Sequence, residues 1–382
     1  MKILHLALSN YYVDNYQYQE NILTRQNKID GHEVLIVASI EGFDSRYRRI
    51  KLDAGEYVNE DGITVIRVRY RKYFDKKYLI KIRTFRDVYK IMEEFAPDII
   101  FFHGIAGWEI LTIAKYKRKH PKVRFYADSH ADFNNSAKNF FSKLILYKLF
   151  YRMCYKIAEK WIDKLFYITL ETKFFAKKMF SAQESKLFYL PLGGNPIVSD
   201  IYYIRERNKI RNSLNIHNDD LLFITTGKFG PHKRLIELLT AFDKFRNNDR
   251  IKLVILGQFY SDIEDTALAI INNNSSLIYL GWKSSTEVDE FLCAADIYIQ
   301  LAGQTVSMQN ALCHRCAVAL FPYPSHLHLL GDAAFYIKDK LDIENLVTDL
   351  LLDVTTLDKK KSLCWKIARD KLDYKQIVKE YT

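Results

Sequence analysis

The sequence predicts an α/β protein built in two successive blocks, each a parallel sheet with crossover helices. Three observations predict it. At 382 residues the chain is too long for one small core and suits two domains of ordinary size. Short apolar runs bounded by turn signals alternate with longer segments of helical period, the pattern of buried strands joined by helices. The alternation then runs through a second time, after a stretch rich in glycine and proline.

In order, the first block opens with the strand ILHLALS, a helix reaching Asp30, a turn at Gly31-His32 and the strand VLIVAS, and later shows DIIFFHG and RFYADSH. The second series begins after Asn218-Asp219-Asp220 with LLFITTGKF, followed by a helix from about Arg234 to Phe245. KLVILGQ, SLIYLGW, a helix over Val288 to Ala294, DIYIQLAG and AVALF complete it. Between the series, Leu190 to Asn218 holds Pro191, Gly193, Gly194 and Pro196 ahead of the charged segment RERNKIRNSLNIH, and reads as an interdomain hinge. A cleft between the domains is expected, with ligands beyond the carboxyl ends of the strands.

Composition narrows the class. A hydrophobic fraction of 48% and a charged fraction of 27% are those of a globular protein. No apolar run approaches the roughly 20 residues of a spanning helix, and MKILHLALS has no cleavage pattern behind it. Five cysteines, an odd number in a long chain, read as reduced thiols in the cytoplasm. The net charge of +11 comes with aromatic residues in two stretches, Arg67 to Lys90 and Lys138 to Lys164. These fit an anionic membrane surface, or equally a solvated basic face. No nucleic-acid motif accompanies the charge, so nucleic acid is not an expected partner.

Four segments carry candidate chemistry. Ile224 to Arg234 contains Gly227, Lys228 and Lys233 between a buried strand and a helix, where backbone N–H groups and two point charges suit a diphosphate. The alternative is two solvated lysines in a polar turn. Ala302 to Leu312 places Gln304, Thr305, Val306, Ser307 and Asn310 at the start of another helix, as donors to phosphate or sugar oxygens or, for Thr305 or Ser307, simply as the N-cap. Asp128-Ser129-His130-Ala131-Asp132 ends a strand, and His130 there can orient a reacting sugar, with His103 in a similar position. Cys313-His314-Arg315-Cys316 has the spacing of a zinc or redox half-site but lacks a partner pair, and small packing residues account for it equally well. No metal-ligand pattern is completed elsewhere.

Taken together these pieces resemble glycosyltransferase family 4, in particular bacterial capsule and surface-polysaccharide members. The resemblance rests on Tyr18-Gln19-Glu20-Asn21, Gly31-His32-Glu33-Val34, Asp128 to Asp132, Pro191-Leu192-Gly193-Gly194, Thr226-Gly227-Lys228 with Lys233, Leu280-Gly281-Trp282 and Ala295-Asp296, in the family's order. It implies a GT-B architecture of two Rossmann-like domains facing across a cleft. Residues 1–198 would form the acceptor domain and 199–358 the nucleotide-sugar domain, with the C-terminal helix 359–382 crossing back onto the first. It further implies a retaining, metal-independent transfer without a cofactor, from a nucleotide-diphosphate sugar to a glycan or lipid-linked acceptor at the inner face of the membrane.

In that scheme Lys228 and Lys233 take the leaving diphosphate, His130 sits by the transferred sugar, and Gly193, Gly194, Gly227 and the 304–310 residues hold the donor. Glu20, in the loop after the first strand, contacts donor or acceptor. One departure stands out: the family's two glutamates, separated by seven residues, fall on Ala302 and Asn310. Amides at Gln304, Gln309 and Asn310 would then hold sugar hydroxyls by neutral hydrogen bonds. A non-catalytic GT-B subunit binding a nucleotide-sugar or a partner is the alternative this departure raises.

Overall fold

The computed structural model describes residues 1–16, 18–43, 48–76 and 78–382; Lys77, within the basic stretch Arg67 to Lys90, lies outside them. The chain divides into two compact units, Met1–Pro191 together with Ile377–Thr382, and Leu192–Gln376.

The first unit contains β1 (Lys2–Ala7), β2 (Glu33–Ser39), β3 (Glu41–Phe43), β4 (Arg49–Lys51), β5 (Gly55–Val58), β6 (Thr64–Val68), β7 (Ile99–Phe102), β8 (Arg124–Ser129), β9 (Lys164–Tyr167) and β10 (Leu187–Tyr189). Eight of these form one sheet in the order β10-β9-β8-β7-β1-β2-β6-β5, parallel except for the edge pair β5–β6, while β3 and β4 form a separate hairpin. Side chains alternate across the sheet with period two. Leu4 and Leu6 enter one core with Phe102 and Ile110, whereas His5 lies against Phe101 and Tyr381 on the opposite face. That face is covered by the C-terminal hexapeptide, whose Tyr381 is 1% exposed and packs edge-on against Phe101 and Tyr126.

The second unit contains β11 (Leu221–Phe229), β12 (Ile251–Phe259), β13 (Leu277–Tyr279), β14 (Ile297–Gln300), β15 (Ala317–Leu320) and β16 (Phe335–Tyr336). They form a wholly parallel sheet, β13-β12-β11-β14-β15-β16, with an apolar core on each face. The helix Ser285–Ala294 starts in a capping box between Ser284 and Glu287, which satisfies two otherwise orphaned N–H donors.

The units divide at Pro191 and not at residue 198, because the Gly-Pro segment is already tied into the second unit. Gly194 N–H donates to Leu372 O at 2.9 Å and Ile197 N–H to Cys313 O at 2.9 Å. The basic C-terminal segment is likewise split. Its helix Thr355–Ile367 packs on β15 in the second unit, and only Ile377–Thr382 joins the first.

Candidate active site

In the second unit the carboxyl ends of β11 and β14 open into a cavity of about 270 Å³ lined by Thr226, Gly227, Lys228, Lys233, Ala302 and Thr305, among others. The run LLFITTGKF is strand to its end, so Gly227 and Lys228 lie in β11 itself, paired with Gly257 and Gln258 of β12, and only Lys233 lies between strand and helix. The strand persists there because Gly257 lacks a side chain. A Cβ built on Gly257 would lie 1.8 Å from Gly227 O. A short turn, Pro231–Lys233, then delivers Lys233 before the helix Leu235–Phe242 begins.

The two lysines differ in surroundings. Lys228 Nζ lies 5.5 Å from the Trp282 ring centroid. Lys233 is half-buried and, among the described residues, has no carboxylate partner; its Nζ occupies the space beside Gly303, where a Cβ would come within 2.5 Å. Burial lowers the pKa of both, since desolvation disfavours the ammonium until an anion arrives. An arriving diphosphate would reverse that shift.

The wall opposite is fixed by a polar cluster. Gln300, ending β14, accepts at Oε1 from Tyr298 Oη (3.1 Å) and Thr305 Oγ1 (3.2 Å), and donates from Nε2 to Ala302 O (2.9 Å). Thr305 is the N-cap of the helix Val306–Cys313, yet its hydroxyl is turned to Gln300 and makes no side-chain cap bond. Val306 and Ser307 form the first turn of that helix. Buried Gln304 Nε2 and Gln309 Oε1 have no hydrogen-bond partner among the described residues, an arrangement uncommon unless a ligand or water completes it.

Gly193 and Gly194 do not line this cavity. Gly193 N–H donates to Tyr374 Oη at 3.3 Å, and a Cβ on Gly194 would lie 2.6 Å from Cys313 Sγ and 3.5 Å from Asn310 Oδ1. Their place is against the helix that carries Asn310. Cys313 and Cys316 are fully buried, Cys316 Sγ lies 3.2 Å from Leu292 O, and burial pushes both thiols well above their ordinary pKa. Both are packing residues. Among the described residues no group of three His, Cys, Asp or Glu is placed to hold a metal ion.

In the first unit His130 follows β8, at the carboxyl end of the sheet. Its Nε2 lies 3.3 Å from Asp128 Oδ2. The fully buried Asp128 also accepts from His103 Nδ1 (2.9 Å) and from Gly104 N–H (2.7 Å). Burial opposes charge on both groups, but mutual attraction prevails: His130 is raised to about 9, and Asp128 is held below the usual carboxylate range by His130 and His103. His103 Nε2 in turn meets His5 Nδ1 at 3.0 Å, and His5 Nε2 meets Asn27 Oδ1 at 3.0 Å, which also accepts from Tyr381 Oη at 2.9 Å. Burial pushes His5 down to about 3. Glu20 is not in a loop; it lies buried in the first turn of the helix Gln19–Ile29 and accepts a hydrogen bond from Asn10 Nδ2.

Spacing alone missed Tyr260, Gln300 and Tyr298. The available signal was a polar residue closing an apolar strand, as Gln300 does.

Residues 206–361 match the family model of glycosyl transferases group 1, and residues 50–160 match the glycosyl transferase 4-like model. No curated protein matches the chain. Among solved structures it is similar to a glycosyltransferase from Rickettsia africae, at 11% identity and a TM-score of 0.68 over 99% of this chain and 96% of the other. It is similar to Anabaena HepE in complex with UDP, at 12% identity and 0.68 over 100% and 98%. It is also similar to WaaG, a glycosyltransferase involved in lipopolysaccharide biosynthesis, at 13% identity and 0.63 over 99% and 98%. At such identities the likeness is one of fold, and the fold of the two α/β units is GT-B.

Proposed function

This chain is a glycosyltransferase with a group 1 domain and a family 4-like domain, and we propose that it moves a sugar from a nucleoside-diphosphate sugar to a lipid-linked or polymeric glycan in surface-polysaccharide synthesis. The observation that carries the donor assignment is Lys233, half-buried without a carboxylate partner among the described residues, beside Lys228 in the second unit's cavity. Support comes from relatives of the same fold: Anabaena HepE is described in complex with UDP and with UDP-glucose.

In this proposal the two ammonium groups stabilise the diphosphate as it departs, where charge develops in the transition state. They supply the charge a divalent ion would otherwise bring, so transfer proceeds in EDTA. Gly227, Thr305, Val306 and Ser307 place backbone and hydroxyl donors around the phosphates, while Gly193 and Gly194 seat the helix that carries Asn310. The unpartnered amides of Gln304 and Gln309, with Asn310, take sugar hydroxyls where Ala302 and Asn310 replace the family's glutamates. His130, positively charged at neutral pH, sits by the transferred sugar. Glu20 acts through its bond to Asn10 on the substrate side of the same unit. The configuration at the transferred carbon is retained.

The partner surface is an anionic bilayer. From Phe141, the N-cap, through the helical segment formed by Ser142–Tyr151 and Arg152–Ala158, Phe141, Ile145, Leu149, Met153 and Ile157 recur every fourth residue and are each 46% to 67% exposed. Lys143, Lys156 and Lys160 are exposed beside them. Such a face suits peripheral binding at the inner surface of a membrane; no helix among the described residues is long and apolar enough to cross one.

Thermal stabilisation by UDP, GDP and their sugars tests the donor site, because a ligand of the native state raises apparent stability by mass action. One nucleotide should raise Tm, and Lys228→Ala with Lys233→Ala should abolish the rise and lower turnover on membrane extract by about 100-fold or more, as for lost transition-state contacts. Unchanged turnover in the double variant would overturn the phosphate assignment.

A further inference from the structure

The first unit holds its own cavity, about 340 Å³, beyond the carboxyl ends of β1, β2 and β6, and its charge is unbalanced. Arg49, Lys81, Arg83 and Lys138 line it, and among the described residues Glu41 is its one carboxylate. Glu41 is engaged by the Tyr70 hydroxyl. Among the described residues none of the four cations has a carboxylate partner within ion-pair distance, such as Arg25 has in Asp61 and Arg67 in Asp14.

Arg83 is held in place by the fold. Its backbone is left-handed at φ 53°, its Nη1 donates to Ala106 O at 3.1 Å, and its guanidinium lies 5.9 Å from the Tyr151 ring centroid. Ala137, on the same lining, is also left-handed at φ 54°. Two non-glycine residues in this costly region mark a lining whose shape the surrounding structure imposes. A guanidinium has five N–H donors, so one carbonyl leaves several for a guest.

We propose that this cavity binds a phosphate or diphosphate ester, the charged end of the acceptor. The inference rests on the reading of the first unit as the acceptor domain. A single carboxylate would need one cation; four line this cavity, which matches the multiple charge of a diphosphate. Ser142, Leu146 and Tyr147 also line the cavity, so it adjoins the helix whose exposed apolar stripe faces the proposed membrane. A lipid diphosphate would place its head in the cavity and its chain along that stripe. A water-soluble phosphorylated glycan would use the same cations without the chain.

The test is calorimetric titration with inorganic pyrophosphate and geranyl diphosphate, without divalent metal, on full-length protein carrying Lys228→Ala and Lys233→Ala so that the other diphosphate site is removed. One saturable site is expected, weakened at least tenfold by Arg83→Gln. Arg49→Gln with Lys81→Gln, both on exposed side chains and free of folding cost, should weaken it by a similar factor at unchanged Tm, while Lys115→Gln leaves it alone. Geranyl diphosphate binding more tightly than pyrophosphate would support a lipid-linked acceptor, and equal affinities a soluble one. Affinity unchanged in the Arg49/Lys81 variant, or lost equally in Lys115→Gln, overturns the proposal. No nucleotide is used, so failure of the donor assignment leaves this result interpretable.

Discussion

At His130, burial disfavours the imidazolium and Asp128 favours it, and the balance at about 9 makes a measurable statement. The ring should titrate near 9 in NMR spectra, and Asp128→Asn should lower it markedly, because the opposing burial then meets only the weaker attraction of Glu20. The folded-state pKa is the raised one. The charged ring therefore contributes stability that is full below 6.5 and is lost as pH rises through about 9, so this part of the alkaline decline in Tm should vanish in Asp128→Asn. Gly303 makes a second residue-scale prediction. Its φ of +88°, and the 2.5 Å that would separate an added Cβ from Lys233 Nζ, mean that Gly303→Ala strains the backbone by about 1–2 kcal/mol and displaces the ammonium. Nucleotide affinity should fall roughly tenfold, equivalent to about 1.4 kcal/mol, with all charges retained; an affinity equal to that of the parent would show that Lys233 does not contact the ligand. At this scale the sequence pointed to the segments that bring Lys228, Lys233 and Thr305 to the cavity lining, because charges and a hydroxyl between a strand and a helix start are visible in spacing. It concealed the Gln300–Tyr298 cluster, because side chains that meet only when neighbouring strand ends and helix starts converge have no local signature.

Elements are held together by a few buried charges as well as by apolar cores. Asp296, at the entrance to β14, accepts from Arg207 (2.7 Å), Arg211 (3.1 Å), Lys361 (3.2 Å) and the Leu222 N–H (3.0 Å). It thereby ties the helices Asp200–Ser213 and Thr355–Ile367 to the second sheet. Burial opposes the carboxylate, and its three cations overcome this and lower its pKa. Asp296→Asn leaves those cations without their counter-ion and should cost about 3–5 kcal/mol in urea unfolding. The sign with pH is opposite to that of His130: the contribution is present above the unfolded value near 3.8 and is lost as pH falls through the lower folded value. Long apolar runs such as LLFITTGKF and VLIVAS were legible as strands from composition and turn signals. The short β9, β10 and β16 were not, because two to four residues carry no periodicity and are specified by the sheet edge that receives them.

For the whole molecule, two α/β blocks could be read from the repeat of one alternation, whereas their join could not. The Gly-Pro segment looks like a hinge by composition, yet hydrogen bonds from Gly194 and Ile197 assign it to the second unit, and the last six residues return to the first through Tyr381. Long-range pairings of this kind are invisible to a local reading. The net charge of +11 is a property of the whole chain, but membrane binding, if it follows the stripe from Phe141 to Ile157, must depend on more than charge. Both contributions can be separated on vesicles containing phosphatidylglycerol. Electrostatic attraction should weaken as the Debye length shortens from about 10 Å at 0.1 M salt to about 3 Å at 1 M. Apolar insertion should survive that change. Phe141→Glu with Leu149→Glu, at positions 67% and 63% exposed, therefore should not destabilise the fold but should reduce partitioning at least tenfold even at low salt. If salt abolishes binding while the double variant binds like the parent, the basic stretches act as a solvated charged face and the stripe has no membrane role.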